Sequence, residues 1–365
     1  MRMSYATIGF CTGAMIAAGA LFATNARSAD LGGDCCADLE TRVAELEATT
    51  VRKGNKKIKL TLSGSLSYAV LYGTTNVPDA EFGEFGEWDV VQNPNSGPSI
   101  LFSGEGKITS TIKAGFVMEI APKNNDGWNR VDAGVTYVYL DAATAGKISL
   151  GYQKAATDGT NSKQVVDISD VAGLFDISPL THLTGLSGPP IFGKSDSIRY
   201  DNSDIGGSGI SIGLSYDPEA KTIDAGATFA KKLGTIDVAA AAGYEDINSI
   251  VRVYGVSGGL RENTTGLFAQ GGYTDAVPTL GTEFAAWHVQ GGLAKNLTAM
   301  GDTVFYGEYG AISKGGPGHL YGFGVKQNLD AAATDVFAGY RMYSDDATGS
   351  ATTVTTVIGG MTVKF

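Results

Sequence analysis

Seven charged residues, Lys59, Glu105, Lys113, Glu119, Arg199, Asp201 and Arg341, stand on the wettable side of segments that alternate with a period of two. Charges gathered on one water-lined face act on polar solutes through their field rather than by making bonds. The plainer reading of each is a solvated charge at a rim. A second charged set, Asp158, Lys163, Asp167, Asp170, Asp176 and His182, lies in the longest stretch without alternation, 154–195. Nothing beside either set points to covalent chemistry. His182, His288 and His319 are scattered, without metal-ligand spacing or a partnered nucleophile, so no catalytic residue and no metal site is assigned. The piece GGSGISIG falls in a turn and lacks the helix a phosphate loop needs, so no cofactor is expected. A formal charge of −11 and the lack of a long basic run argue against nucleic acid.

The elements that must position these charges are strands. The last fourteen residues, TTVTTVIGGMTVKF, put Val363, Met361, Gly359, Val357 and Thr355 on one face, with Lys364, Thr362 and Gly360 on the other. KIKLTLSGSLSYAVLY sets Ile58, Leu60, Leu62, Leu66, Tyr68 and Val70 against Lys59, Thr61, Ser63, Ser65 and Ser67. TIKAGFVMEI divides Ile112, Ala114, Phe116 and Met118 from Lys113, Gly115, Val117 and Glu119. Similar segments follow one another to the end of the chain, about sixteen in all, joined by turns near 144, 206, 232 and 330 and by longer loops at 73–97, 121–130, 154–195, 218–221, 275–282 and 344–351. Short and long connections alternate, as they do when one end of a barrel faces a confined space and the other faces outward. Tyr72, Tyr137, Tyr139, Tyr200, Tyr216 and Tyr244 stand near strand ends and are expected in interfacial aromatic girdles.

The N-terminus differs. Arg2 precedes an apolar run from Ile8 to Phe22, and Ala26 and Ser28 occupy the −3 and −1 places of a signal-peptidase site. Residues 1–28 therefore read as an export signal, and the mature chain begins Ala29-Asp30. Its loss removes Arg2 and Arg27 and no acid, which takes the formal charge from −11 to −13. No second apolar run of about 18 residues follows. Residues 29–54 carry ADLETRVAELEATT, where Leu39, Val43 and Leu46 make the seam of a short coiled-coil-like helix on the periplasmic side. Glycine, 51 of 365 residues, is twice its usual share of roughly 7% and is spread along the chain, as sheet curvature and tight turns require. No cysteine follows Cys36, so no disulfide framework is expected. Mean hydropathy is +0.01, which suits a wall with lipid on one side and water on the other. The fold expected is all-β: a transmembrane antiparallel barrel over 55–365.

A chain that stops on such a strand with Phe365 resembles bacterial outer-membrane β-barrels, in which that residue is read by the barrel-assembly machinery. Three places carry a closer resemblance: DCCADLETRVAELEATTVRKGNKKIKLTLSG, the hairpin SIRYDNSDIGGSGISIGLSYD, and Phe365. These are similar to alphaproteobacterial general porins. The resemblance implies a homotrimer of sixteen-stranded barrels in the outer membrane, in contact with lipid and lipopolysaccharide, passing small hydrophilic solutes and ions. It also implies that the third external loop, here 154–195, folds inward as a constriction. Its carboxylates, Asp158, Asp167, Asp170 and Asp176, would then face basic side chains across the lumen. The acidic balance suggests a weak preference for cations. The start Ala29-Asp30 resembles relatives whose N-terminus is joined to peptidoglycan, which would make Ala29 the attachment point. An outer-membrane tether with a blocked interior is the alternative; an outer-membrane hydrolase is a more remote one.

Overall fold

The computed structural model describes residues 57–76, 86, 88–125, 128–173, 193–345 and 352–365. The expected signal, the N-terminal helix, Ala29, Cys35 and Cys36 lie outside these residues, as do Asp176 and His182. The described chain is β-sheet almost throughout. The strands are β1 (Lys59–Thr75), β2 (Trp88–Gln92), β3 (Ser99–Lys107), β4 (Lys113–Asn125), β5 (Trp128–Asp141), β6 (Lys147–Lys154), β7 (Lys194–Asn202) and β8 (Ile210–Asp217). They continue with β9 (Thr222–Leu233), β10 (Ile236–Ile247), β11 (Val251–Glu262), β12 (Leu267–Pro278), β13 (Phe284–Thr298), β14 (Gly301–Lys314), β15 (Gly318–Leu329), β16 (Thr334–Asp345) and β17 (Thr352–Lys364).

Each strand pairs antiparallel with its neighbour, and β1 pairs with β17 from Ser65↔Lys364 to Thr75↔Val354, which closes the ring. Phe365 completes the seam: its N–H donates to the Gly64 carbonyl at 3.0 Å and its carbonyl accepts from Gly64 at 2.8 Å. β2 and β3 occupy a single place, because β2 pairs with Tyr68–Tyr72 and β3 with Lys59–Ser65 of the same strand β1. The wall therefore has sixteen positions. Closure gives every position in the wall two neighbours, the condition for a sheet to stand in hydrocarbon.

Alternation assigns the two faces. Leu60, Leu62, Leu66, Tyr68 and Val70 of β1 are exposed on the outside, while Ser67 and Ala69 between them are buried inside. The same holds at Ile210, Ile212, Leu214 and Tyr216 against Ser215 and Asp217, and at Met361 and Val363 against Thr362. Aromatic pairs gather near the long-loop end: Tyr72 with Trp88 at 5.0 Å, Tyr244 with Tyr254 at 5.3 Å and Trp287 with Tyr309 at 5.4 Å between ring centroids.

Three features depart from the sequence expectations. The segment Trp88–Gln92, expected inside a loop, is a strand, and the loop expected at 121–130 shrinks because β4 runs to Asn125 and β5 starts at Trp128. The ladder from β4 to β5 passes from Met118↔Thr136 to Ile120↔Ala133, leaving Glu119 opposite two residues, Gly134 and Val135. That bulge reverses the phase of β5: Val138 and Leu140 point outward above it and Val131 points outward below it. Tyr137 and Tyr139 consequently face the lumen rather than a girdle; the Tyr139 hydroxyl reaches Glu105 Oε2 at 3.4 Å.

Candidate functional site

After Lys154 the chain turns into the barrel, and residues 155–173 run along its inner surface past most of the ring. Inward polar side chains from successive strands hold the loop backbone. The Ala156 N–H donates to Ser215 Oγ at 3.0 Å and the Thr157 N–H to Asp224 Oδ1 at 3.0 Å. Ser257 accepts from the Lys163 N–H at 2.7 Å and donates to the Thr160 carbonyl at 2.8 Å. The Gln270 amide oxygen accepts from Val165 and Val166, and its nitrogen donates to the Val166 carbonyl at 3.0 Å. Gln290 then donates to the Ala172 carbonyl at 3.0 Å and Arg341 to the Gly173 carbonyl at 3.1 Å. A loop in water satisfies its backbone with solvent; this one is satisfied by the wall.

Close approach needs a smooth wall. Gly213, Gly226 and Gly243 stand in one register row across β8, β9 and β10. A Cβ at Gly226 would strike the Ala156 carbonyl oxygen, and one at Gly243 would strike Thr160 Oγ1. The row is a seat for 156–160. Further along, Val166, Ile168, Val171 and Ala172 of the loop pack on Phe268, Ala294, Val304, Tyr306, Phe337, Ile358 and Ala69 of the wall. Fully burying a side chain such as Ile168 contributes on the order of 2 kcal/mol.

The far end of the described loop is fixed by charge. Lys326, 2% exposed, donates to Asp170 Oδ2 at 2.8 Å and to the Asp167 carbonyl at 3.2 Å, and lies 3.1 Å from Asp335 Oδ2. Asp170, 3% exposed, also accepts from Thr362 at 2.9 Å, and its carbonyl accepts from Asn93 at 2.7 Å. Burial disfavours the Asp170 carboxylate, but the hydrogen bond and charge of Lys326 outweigh it and hold its pKa below the ordinary value. At Asp167 burial again acts upward, and the Lys326 charge with the Ser169 hydrogen bonds brings the group below its ordinary range. Asn93 and Asn95, from the break between β2 and β3, donate to the Asp170 and Val171 carbonyls at 2.7 and 3.2 Å.

The charges expected on the wettable face divide into two groups. On the side the described loop leaves uncovered, Lys113 meets Glu105 at 2.9 Å, Lys194 meets Glu119 at 3.3 Å, and Lys59 stands across from Glu105 in the β1–β3 register. Arg199 grips Asp201 at 2.7 Å and donates to the Lys154 and Ala155 carbonyls at 2.9 Å, fixing the start of the loop. Arg341 is buried beneath the loop with Glu308, at 2.6 Å. Of the loop acids, Asp158 is exposed and paired with Lys154 at 2.8 Å, and Asp167 is exposed, while Asp170 turns into the wall. Lys326, Asp335, Glu308, Gln270 and Gln290 belong to this arrangement without having been singled out from sequence, and His288, which the sequence shows only as an isolated histidine, joins it through Glu308. Their one signal was strand phase, which places them on the wettable face with many bystanders.

A closed sheet that is apolar outside and charged inside, with one connection folded into its interior, defines a membrane channel of the β-barrel class. The chain belongs to the Gram-negative porin family, whose model matches residues 12–348. It is an outer-membrane protein. Solved structures share the fold at low identity. An anion-selective porin from Comamonas acidovorans is 14% identical, with a TM-score of 0.62 over 84% of this chain and 100% of that one. The outer membrane channel DcaP of Acinetobacter baumannii is 8% identical, with a TM-score of 0.60 over 86% and 99%. OmpT of Vibrio cholerae, an outer membrane protein solved in a trimer form, is 13% identical, with a TM-score of 0.57 over 85% and 100%. No curated protein matches in sequence.

Proposed function

We propose that this porin is a general diffusion channel that passes small hydrophilic solutes and ions, and that it works as a homotrimer. One observation carries the reading: residues 155–173 are fastened to one side of the lumen, while the other side, from β3 to β7, keeps paired charges in contact with water. A polar solute slides along such a surface exchanging hydration for charged groups, whereas an apolar solute must give up ordered water and gains nothing. Asp167 on the exposed side of the loop, with Lys113, Lys194 and Lys154 each neutralised by a carboxylate, supports a weak cation preference. Residues 29–54 are assigned to the periplasm, with Ala29 as the point of attachment to peptidoglycan. The mass of the mature N-terminal peptide tests that assignment.

Purified protein in a planar bilayer should conduct in large, ohmic steps grouped in threes. A silent bilayer would favour the tether. In a salt gradient the reversal potential should indicate slight cation preference, and a clear anion preference would reverse the assigned sign.

A further inference from the structure

Lys326 is the only lysine among the largest fully buried side chains of the described residues, and it reaches two carboxylates and a loop carbonyl at once. We infer that Lys326 is a positioning residue that also sets the ionic preference of the pore: it fastens the loop through Asp170 and keeps the charge of Asp170 and Asp335 electrically silent. The inference rests on the channel reading above.

Two acids and two lysines balance in direct contact, and a third carboxylate, Asp167, stands beside them within the field of Lys326. Asp170 of the loop and Asp335 of β16 supply two negative charges. Lys326 of β15 and Lys364 of β17, 2.7 Å from Asp335, supply two positive ones. Thr362 and Asn93 complete the shell of Asp170 with neutral donors, at 2.9 Å to its carboxylate and 2.7 Å to its carbonyl. Asp167, exposed beside the cluster, offers Lys326 its carbonyl and keeps its own carboxylate on Ser169, at 2.6 Å. The cluster lies under the loop, within the low dielectric of the wall, where an uncompensated charge projects its field into the lumen with little screening. Removing Lys326 therefore does two separable things. It makes the cluster beside the channel one charge more negative, and it frees the Asp170 end of the loop.

The two effects divide cleanly in a bilayer. Lys326→Met should move the reversal potential toward cations and raise open-channel noise. Adding Asp170→Asn to it should return the reversal potential to the wild-type value and leave the noise high, because charge is restored but the anchor is not. Asp170→Asn alone makes the cluster one charge more positive and should move the potential the other way, toward anions. Lys326→Arg should keep wild-type selectivity. A purely structural lysine predicts noise without any ordered shift of potential. If Lys326→Met fails to assemble, Asp170→Asn still decides, since its sign is fixed in advance. Conducting wild-type protein with reversal potentials unchanged in these variants would overturn the assignment while leaving the channel reading intact; a wild type that does not conduct would remove both.

Discussion

Arg341 and Glu308 face each other across β15 as a two-point ion pair, Nε to Oε1 at 2.6 Å and Nη2 to Oε2 at 3.0 Å. The same Glu308 Oε2 lies 3.1 Å from His288 Nε2 and accepts from Gln290 Nε2 at 3.1 Å, so one carboxylate knits β13, β14 and β16 together behind the loop. Such a bidentate fork cannot be reproduced by an ammonium. Arg341→Ala strands a buried carboxylate and should cost about 3 to 5 kcal/mol. Arg341→Lys should recover only part of that. Thermal unfolding in detergent, followed by the mobility difference between folded and heated barrel, would measure both; equal stability of wild type and Arg341→Ala would contradict the role given to the pair.

The acid response of the loop has a defined direction. Asp170 has a lowered pKa, so its contribution is present above the unfolded carboxyl value of about 4 and is lost as pH falls through the lower folded value. Open-channel noise should stay flat from neutrality to about pH 4 and rise below it. Asp170→Asn should remove that acid-dependent step. A rise that begins near pH 6 would implicate a histidine instead.

The glycine row makes a steric prediction. Gly226→Ala drives a methyl group into the Ala156 carbonyl, which is backbone and cannot swing aside. Overpacking of this kind costs roughly 1 to 3 kcal/mol, here charged to the seating of the loop. The Ala156 and Thr157 amides, which donate to Ser215 and Asp224, should lose protection from hydrogen exchange. Gly291→Ala, where the nearest atom is the Phe268 carbonyl oxygen at 3.4 Å, is the matched control and should behave as wild type.

The apolar underside of the loop can be tested in the same way. Ile168 is fully buried, and Ile168→Ala should weaken docking by about 2 kcal/mol, or roughly 30-fold in the opening equilibrium. Exchange at the Val165 and Val166 amides, both held by Gln270, reports that equilibrium. Unchanged exchange would mean that polar contacts alone hold the loop.

Excision of residues 158–172 should raise single-channel conductance, since this stretch occupies lumen that water would otherwise fill. Conductance equal to wild type would place the narrowest point elsewhere.

Most of the wall was legible from the order of residues. Lipid outside and water inside impose a period of two, so Leu60, Leu62 and Leu66, or Met361 and Val363, announce their face without reference to any neighbour. Local alternation fails where a partner strand changes the count. The bulge opposite Glu119 reverses the face of Val131 relative to Val138, and only the pairing with β4 reveals it. In VTYVYL each alternate set, Val135, Tyr137 and Tyr139 or Thr136, Val138 and Leu140, is mostly apolar or aromatic, so alternation alone assigns neither tyrosine a face. The long loop was visible as an acidic insertion, but its path was not. Gly213, Gly226 and Gly243 form a seat only once register sets them side by side, and Asp170 meets Lys326 across 156 residues only once the ring has closed. A solvent boundary acts on each residue separately and so is written in the sequence; contact between distant residues depends on register and closure, which exist only in the folded barrel.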